Sequence, residues 1–314
     1  MGKSKLKINL KRDDEQKGIW QFSSYLSPLP EHFKLSLKEG STPVVDFEKN
    51  LLLKREDKNP TGSLKDRGMA YLVSYAYSQG EKNLVLSSSG NAALSAAAYC
   101  RLAELKLHVF VAHKIDPQKL AMIKKTPAQV YQSRRPLSDS IKFAKQKGFY
   151  NLRPSTHAFG SEGFQTIAFE LAELTPLVEE IFLPVSSGVS LLGIAQGFAK
   201  LGWLPRLHLC QPASCPPLAS VFDQDYSAEK ESLADSLVAK YTPLKEEILK
   251  IVRESGGRGW VIENQAIKKA QSALRKKNIK TSAEGALALA AVYKAREKGF
   301  SLENTVCLLT GREY

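Results

Sequence analysis

From residue 84 onward the chain alternates short apolar runs with stretches of helical periodicity, and few folds accept that alternation. Residues 84–87 (Leu-Val-Leu-Ser) read as a strand, 92–103 as a small-residue helix and 107–112 as a second strand. Asp116-Pro117 supplies a cap and a first-turn proline for a helix to residue 125. A strand over 129–132 and a helix over 137–147 complete the run. A second run follows, with helix 165–174, strand 180–185, helix 191–201 and strand 206–210. Helices over 265–277 and 283–298 and a strand over 305–310 close the chain. Strands separated by helices pair in parallel, because each helix carries the chain back across the sheet. The expectation is therefore an α/β fold built on open, mainly parallel sheets. Pro and acidic residues in 213–258 predict loop and surface helix there.

A chain of 314 residues suggests two domains and can bury a sizeable core. Apolar content of 43% and charge of 25% are those of an ordinary globular protein. No apolar run approaches the roughly 20 residues that span a bilayer, so a membrane is not expected. The first residues, Met1-Gly-Lys-Ser-Lys-Leu-Lys7, lack the apolar core of a signal peptide. Cys100, Cys210, Cys215 and Cys307 show no metal-ligand spacing, and reduced, buried thiols in a cytoplasmic protein are expected. No metal is expected. A net charge of +13 raises the question of nucleic acid. The basic residues are dispersed, however, outside 3–12 and the amphipathic stretch 268–280, and no nucleic-acid recognition motif accompanies them. A basic field steers small anions equally well.

Three segments carry chemistry. In Asn59-Pro-Thr-Gly-Ser-Leu-Lys-Asp-Arg67 a turn precedes Lys65, and Met69, Leu72, Val73 and Ala76 then repeat at helical spacing. A lysine at a helix N-terminus meets the positive end of the dipole, which favours the neutral amine that condenses with an aldehyde. Ser87-Ser-Ser-Gly-Asn91 and Ser186-Ser-Gly-Val-Ser190 each lie between an apolar run and a helix. Backbone N–H groups at such helix starts are unpaired and bind anions. Read alone, either loop is also an ordinary helix cap.

In chain order, Gly40-Ser-Thr-Pro43, 59–69, 87–98, Glu162-Gly-Phe-Gln-Thr-Ile-Ala-Phe-Glu170, 184–193, 205–211, Glu284-Gly-Ala286 and Thr310-Gly311 resemble the pyridoxal-phosphate enzymes of the tryptophan synthase β superfamily, fold type II. Within it they are most similar to threonine synthases. The resemblance implies two α/β/α domains, a larger cofactor-binding one from 1–69 plus 153–314 and a smaller mobile one from 70–152. It places pyridoxal 5′-phosphate in a cleft beyond the carboxyl ends of the strands and leaves room for a homodimer. Lys65 would carry the cofactor and, once freed by the substrate amine, move protons. Asn91 would bind the ring hydroxyl oxygen. Ser186, Ser187, Gly188, Val189 and Ser190 would cradle the phosphate, and Thr310 would face the ring nitrogen. Ser88, Ser89 and Gly90 would hold the carboxylate of a small anionic amino-acid substrate.

The chain also departs from that pattern. Threonine synthases of this kind carry an arginine for the substrate phosphate where Gly160 stands, and a lysine where Gln165 stands. An arginine fork is the usual partner of a phosphate dianion. His157 and Arg153 are the nearest replacements. Three readings follow: β,γ-elimination of phosphate from O-phosphohomoserine followed by addition of water; dehydration or β-replacement on threonine, serine or an activated serine; and a non-enzymatic basic protein that binds nucleic acid or another partner. The set Lys65, Asn91 and Thr310 argues against the last.

Overall fold

The computed structural model describes residues 10–174, 177–237 and 239–313. The readings made on Met1–Lys7, and the basic run up to residue 9, lie outside the described residues. After two 3-10 turns, Gly18–Tyr25 and Glu31–Phe33, comes an antiparallel hairpin of β1 (Val44–Glu48) and β2 (Leu51–Lys54), with Val44 opposite Lys54. Asn50 turns it at φ 60°, a left-handed conformation that asparagine tolerates. Next come α1 (Lys65–Ser78), β3 (Asn83–Ser87), α2 (Asn91–Leu102), β4 (Lys106–Ala112) and α3 (Pro117–Lys124). They are followed by β5 (Gln129–Ser133), α4 (Pro136–Lys147) and β6 (Tyr150–Asn151). The rest of the chain forms α5 (Gln165–Ala172), β7 (Glu180–Pro184), α6 (Val189–Lys200) and β8 (Arg206–Pro212). It ends with α7 (Lys245–Glu254), β9 (Gly259–Ile262), α8 (Asn264–Lys276), α9 (Ala283–Glu297) and β10 (Thr305–Leu308).

These elements group into two compact units. One comprises Arg12–Gly40 and Asn59–Gly163; the other takes Ser41–Lys58 and the chain from Phe164 onward. The sequence-read boundaries at 70 and 152 fall inside the first unit, which also takes in the start of α1.

In the first unit the sheet runs β5-β4-β3-β6, all parallel. The stripe Met69, Leu72, Val73 and Ala76 is buried, and α1 packs on α2, whose Ala93, Ala96 and Ala97 are buried. Asp116 caps α3 as the sequence implied, its carboxylate accepting from Lys119 N at 3.0 Å. On one face of the sheet α4 covers a cluster of Val85, Phe110 and Ala144 with Tyr131, Phe143 and Phe149.

In the second unit the order is β1-β2-β10-β7-β8-β9, parallel from β2 through β9. Every residue of β7 is buried, as expected of a parallel strand covered on both faces. Helix α9 lies against β7 with its 286–292 stretch, rich in alanine and leucine, almost wholly buried. Helices α5 and α6 approach closely at Gly197, where a Cβ would meet Gln165 O at 2.6 Å. The α/β architecture expected from the alternation is the one adopted. Four strands, β1, β2, β6 and β9, were not read from the sequence. Residues 213–258 hold α7 and a 3-10 turn, Ala219–Val221, of which Ala219 is buried. Of the thiols, Cys215 is half-buried rather than buried, while burial of Cys100 pushes its pKa up to about 12.

Candidate active site

The Asn59-Pro-Thr-Gly segment closes as a turn, with Gly62 N–H donating to Asn59 O at 2.8 Å and Gly62 at φ 94°. Asn59 Oδ1 accepts from Gly40 N at 2.9 Å, which ties the turn to the segment before β1. Lys65 is then the first residue of α1. Asp66, fully buried, accepts from Thr61 N at 2.7 Å and from the Thr61 hydroxyl, so its carboxylate holds the turn. Gly163 lies so close to the first turn of α1 that a Cβ there would sit 1.9 Å from Arg67 O. Its neighbour Glu162 accepts from Ser27 N at 3.0 Å and Ser27 Oγ at 3.1 Å, and Tyr71 OH donates to Ser27 O at 3.0 Å. Asp66, Glu162 and Gly163 thus fix the helix start that presents Lys65.

Ser88, Ser89, Gly90 and Asn91 leave the carboxyl end of β3 and enter α2, all half-buried. Ser89 Oγ accepts from Ala112 N at 3.3 Å, anchoring the loop to the end of β4. Arg153 leaves the neighbouring strand β6, whose Asn151 stands opposite Val85, so it emerges at the same sheet edge as Ser88. Its backbone N donates to Asn151 Oδ1 at 3.0 Å. No ion pair of its guanidinium is found among the described residues.

His157 is held differently. Phe159 N donates to Nδ1 at 3.1 Å, so the ring proton sits on Nε2, which is hydrogen-bonded to Tyr150 OH. Tyr75 packs edge-on at 5.4 Å, and burial lowers the pKa below the ordinary imidazole value. The result is a neutral, packed ring. Gly160 is buried, and a Cβ there would lie 1.9 Å from Pro154 O. The backbone at this position leaves no room for a side chain, arginine included. Gln165 is 1% exposed, and its Oε1 has no hydrogen-bond partner among the described residues.

In the second unit, Ser186–Ser190 follows the carboxyl end of β7 and starts α6. Gly188 is the helix N-cap at φ 92°, and a Cβ there would meet Ile248 Cγ1 at 2.6 Å. Thr242 Oγ1 donates to Ser187 O at 2.6 Å. Both Thr242 and Ile248 come from the segment the sequence left least defined, and no signal in it marked them. The first α6 amide to reach a helical acceptor is Leu192 N, on Gly188 O at 2.9 Å. Amides before it point out of the helix start, as anion-binding amides do.

Thr310, 7% exposed, follows β10, the strand beside β7. Leu309 N donates to Lys54 O at 3.0 Å, while Ser282 N and Thr281 Oγ1 both donate to Gly311 O at 2.8 Å. Gly285 lets α9 approach, because a Cβ would lie 3.3 Å from Leu309 Cα. Since β7 and β10 are parallel neighbours, the loop after β7 and Thr310 emerge side by side beyond their carboxyl ends, where open α/β sheets bind ligands.

An open parallel sheet whose strand ends carry amide-rich helix starts is a fold for phosphorylated cofactors. The chain belongs to the pyridoxal-phosphate-dependent enzyme family, whose model matches residues 35–311. Its cofactor is pyridoxal 5′-phosphate, and its fold is type II. The donor set fits that group, since Ser186–Ser190 offers amides and hydroxyls with no acidic side chain. The chain is 29% identical over 323 residues to a threonine synthase of Methanocaldococcus jannaschii, covering 94% of this chain and 80% of the relative. It is 27% identical over 338 residues to one from Methanosarcina acetivorans, covering 98% and 83%. In fold it resembles maize serine racemase, at a TM-score of 0.76 and 21% identity over 87% of this chain and 88% of the other. Tomato (Solanum lycopersicum) threonine deaminase isoform 2 superposes at 0.72 with 18% identity, covering 87% and 79%. Among the described residues no helix is long and apolar enough to cross a membrane.

Proposed function

We propose that this chain is a threonine synthase-like lyase that converts O-phosphohomoserine and water to threonine and phosphate. The observation that carries the reading is its similarity, over nearly the whole chain, to two threonine synthases. Lys65 Nζ would hold the cofactor at the start of α1 and would take and return protons on the substrate carbons. Ser88, Ser89 and Gly90 hold the substrate carboxylate. Asn91 donates to the ring hydroxyl oxygen. The Ser186–Ser190 amides and hydroxyls take the cofactor phosphate, and Thr310 sets a neutral hydroxyl at the ring nitrogen. The bound cofactor supplies the electron sink for proton removal. Arg153, half-buried at the β3–β6 edge, is the cation assigned to the substrate phosphate, in preference to the neutral His157.

One observation favours a second reading. With no side chain possible at Gly160, the site lacks the family's phosphate fork, as suits a dehydratase or β-replacement enzyme acting on threonine, serine or an O-activated serine. A substrate panel separates the two. The expected result is release of phosphate and threonine from O-phosphohomoserine. The Michaelis constant should rise on Arg153→Ala. Formation of an oxo acid from threonine or serine, with no phosphate release, would favour the second reading.

A further inference from the structure

A cavity of about 550 Å³ opens in the second unit beside the edge strand β9, within the size range of small-molecule sites. Arg258 precedes the first residue of β9, and Lys298 and Phe300 follow the end of α9. The cavity therefore lies at the amino ends of the parallel strands, away from the carboxyl ends that carry Ser186–Ser190 and Thr310.

Its lining combines Phe222, Trp260 and Phe300 with polar and charged side chains. Trp260 and Phe300 meet edge to face at 5.3 Å, and the Arg258 guanidinium lies 5.4 Å from the centre of the Phe300 ring. Arg258 Nη2 donates to Phe222 O at 3.0 Å, which orients the fork, and among the described residues it has no carboxylate partner. Asp223, Asp225 and Lys298 line the same cavity. Asp223 is buried and fully engaged, accepting from Val261 N at 2.9 Å and from Lys294 Nζ at 2.6 Å, with Lys298 Nζ at 3.5 Å. Asp225 is exposed and pairs through one oxygen only, Oδ2 to Lys298 at 3.0 Å. The cavity thus presents an oriented guanidinium, a carboxylate with an oxygen to spare and the partly exposed ring of Phe300.

We infer that this cavity is a second ligand site, separate from the catalytic one, for a free α-amino acid with an apolar side chain. The ligand carboxylate takes the Arg258 fork, its ammonium takes Asp225, and its side chain lies on Phe300. A simple organic anion would leave Asp225 unused, and a simple amine would leave Arg258 unused. A zwitterion uses both.

The test is calorimetric titration of the holoprotein with L-phenylalanine, 3-phenylpropionate and 2-phenylethylamine. L-Phenylalanine should bind, and each truncated probe should bind at least about tenfold more weakly, as the loss of a hydrogen bond to a charged group implies. The truncated probes need no mutation, so this arm stands whatever a variant does to folding. Arg258→Gln, at an exposed position, should weaken L-phenylalanine by about the same factor. Binding should persist in Lys65→Ala, which separates this site from the catalytic lysine. Absence of saturable binding, equal binding of the truncated probes, indifference to Arg258→Gln, or loss in Lys65→Ala would each overturn the proposal.

Discussion

Ser187 and Thr310 are assigned different roles toward the cofactor, and their substitutions should separate. Ser187→Asp adds a negative charge to the loop assigned to the phosphate, where like charges repel. Cofactor affinity should drop by about tenfold or more at unchanged fold, as two unit charges a few ångströms apart near a protein surface interact by several kcal/mol. Titration of the apoprotein with pyridoxal phosphate reads this, and unaltered affinity would move the phosphate elsewhere. Thr310→Ala would remove one proposed contact among many. A single hydrogen bond is worth roughly 0.5–1.5 kcal/mol, too little to empty the site, so the cofactor should remain while turnover changes. Wild-type kinetics would take Thr310 out of the catalytic machinery. Lys65, Asn91 and the serine loops were legible because turn and helix-start chemistry leaves a local signature. The state of His157 was not, because it depends on Phe159 N and Tyr150 OH. Nor was the closed backbone at Gly160, which depends on its approach to Pro154.

At the scale of elements, legibility followed periodicity. Helices α2, α4, α8 and α9 and strands β3, β4 and β7 stand within a few residues of where the sequence pattern put them. Strands β1 and β2 escaped because Val44-Val-Asp-Phe-Glu48 and Leu51-Leu-Leu-Lys54 are too short to show a period, and only their pairing and the bend at Asn50 define them. Strand β9 is four residues, Gly259-Trp-Val-Ile262, made a strand by β8 beside it. The consequence for the site is specific. Helix α7 carries Ile248 against Gly188, and the chain before it carries Thr242 onto Ser187, so the least legible segment holds the loop assigned to the phosphate.

Across the molecule, stability should depend on pH through a network at the amino ends of β7 and β8. Glu180 is buried and accepts from Arg206 Nε at 2.6 Å and from His208 Nε2 at 2.7 Å. Burial alone would raise its carboxyl, but these hydrogen bonds outweigh it and hold the pKa below the ordinary value. Trp260 Nε1 donates to His208 Nδ1 at 3.1 Å, leaving no place for a second ring proton, and burial holds the imidazole below its ordinary pKa. Both shifts act in one direction. His208 contributes stability that is lost as pH falls from roughly 6.5 toward its folded value. Glu180 contributes stability present above the unfolded carboxylate value and lost as pH falls through its lowered one. The melting temperature should therefore fall steadily on acidification below neutrality, and Glu180→Gln should cost about 1.5–3 kcal/mol, the worth of hydrogen bonds to a charged group. A melting temperature flat to acid would remove this network from the account.

The central claim is that Lys65 carries the cofactor, and chemical trapping in the intact holoprotein tests it most directly. The protein should be yellow with bound pyridoxal phosphate. Borohydride should bleach it and leave a phosphopyridoxyl group that peptide mass spectrometry finds on Lys65, and Lys65→Ala, still folded, should lose both the colour and the label. Label on another lysine, or an unchanged visible spectrum in Lys65→Ala, would contradict the account.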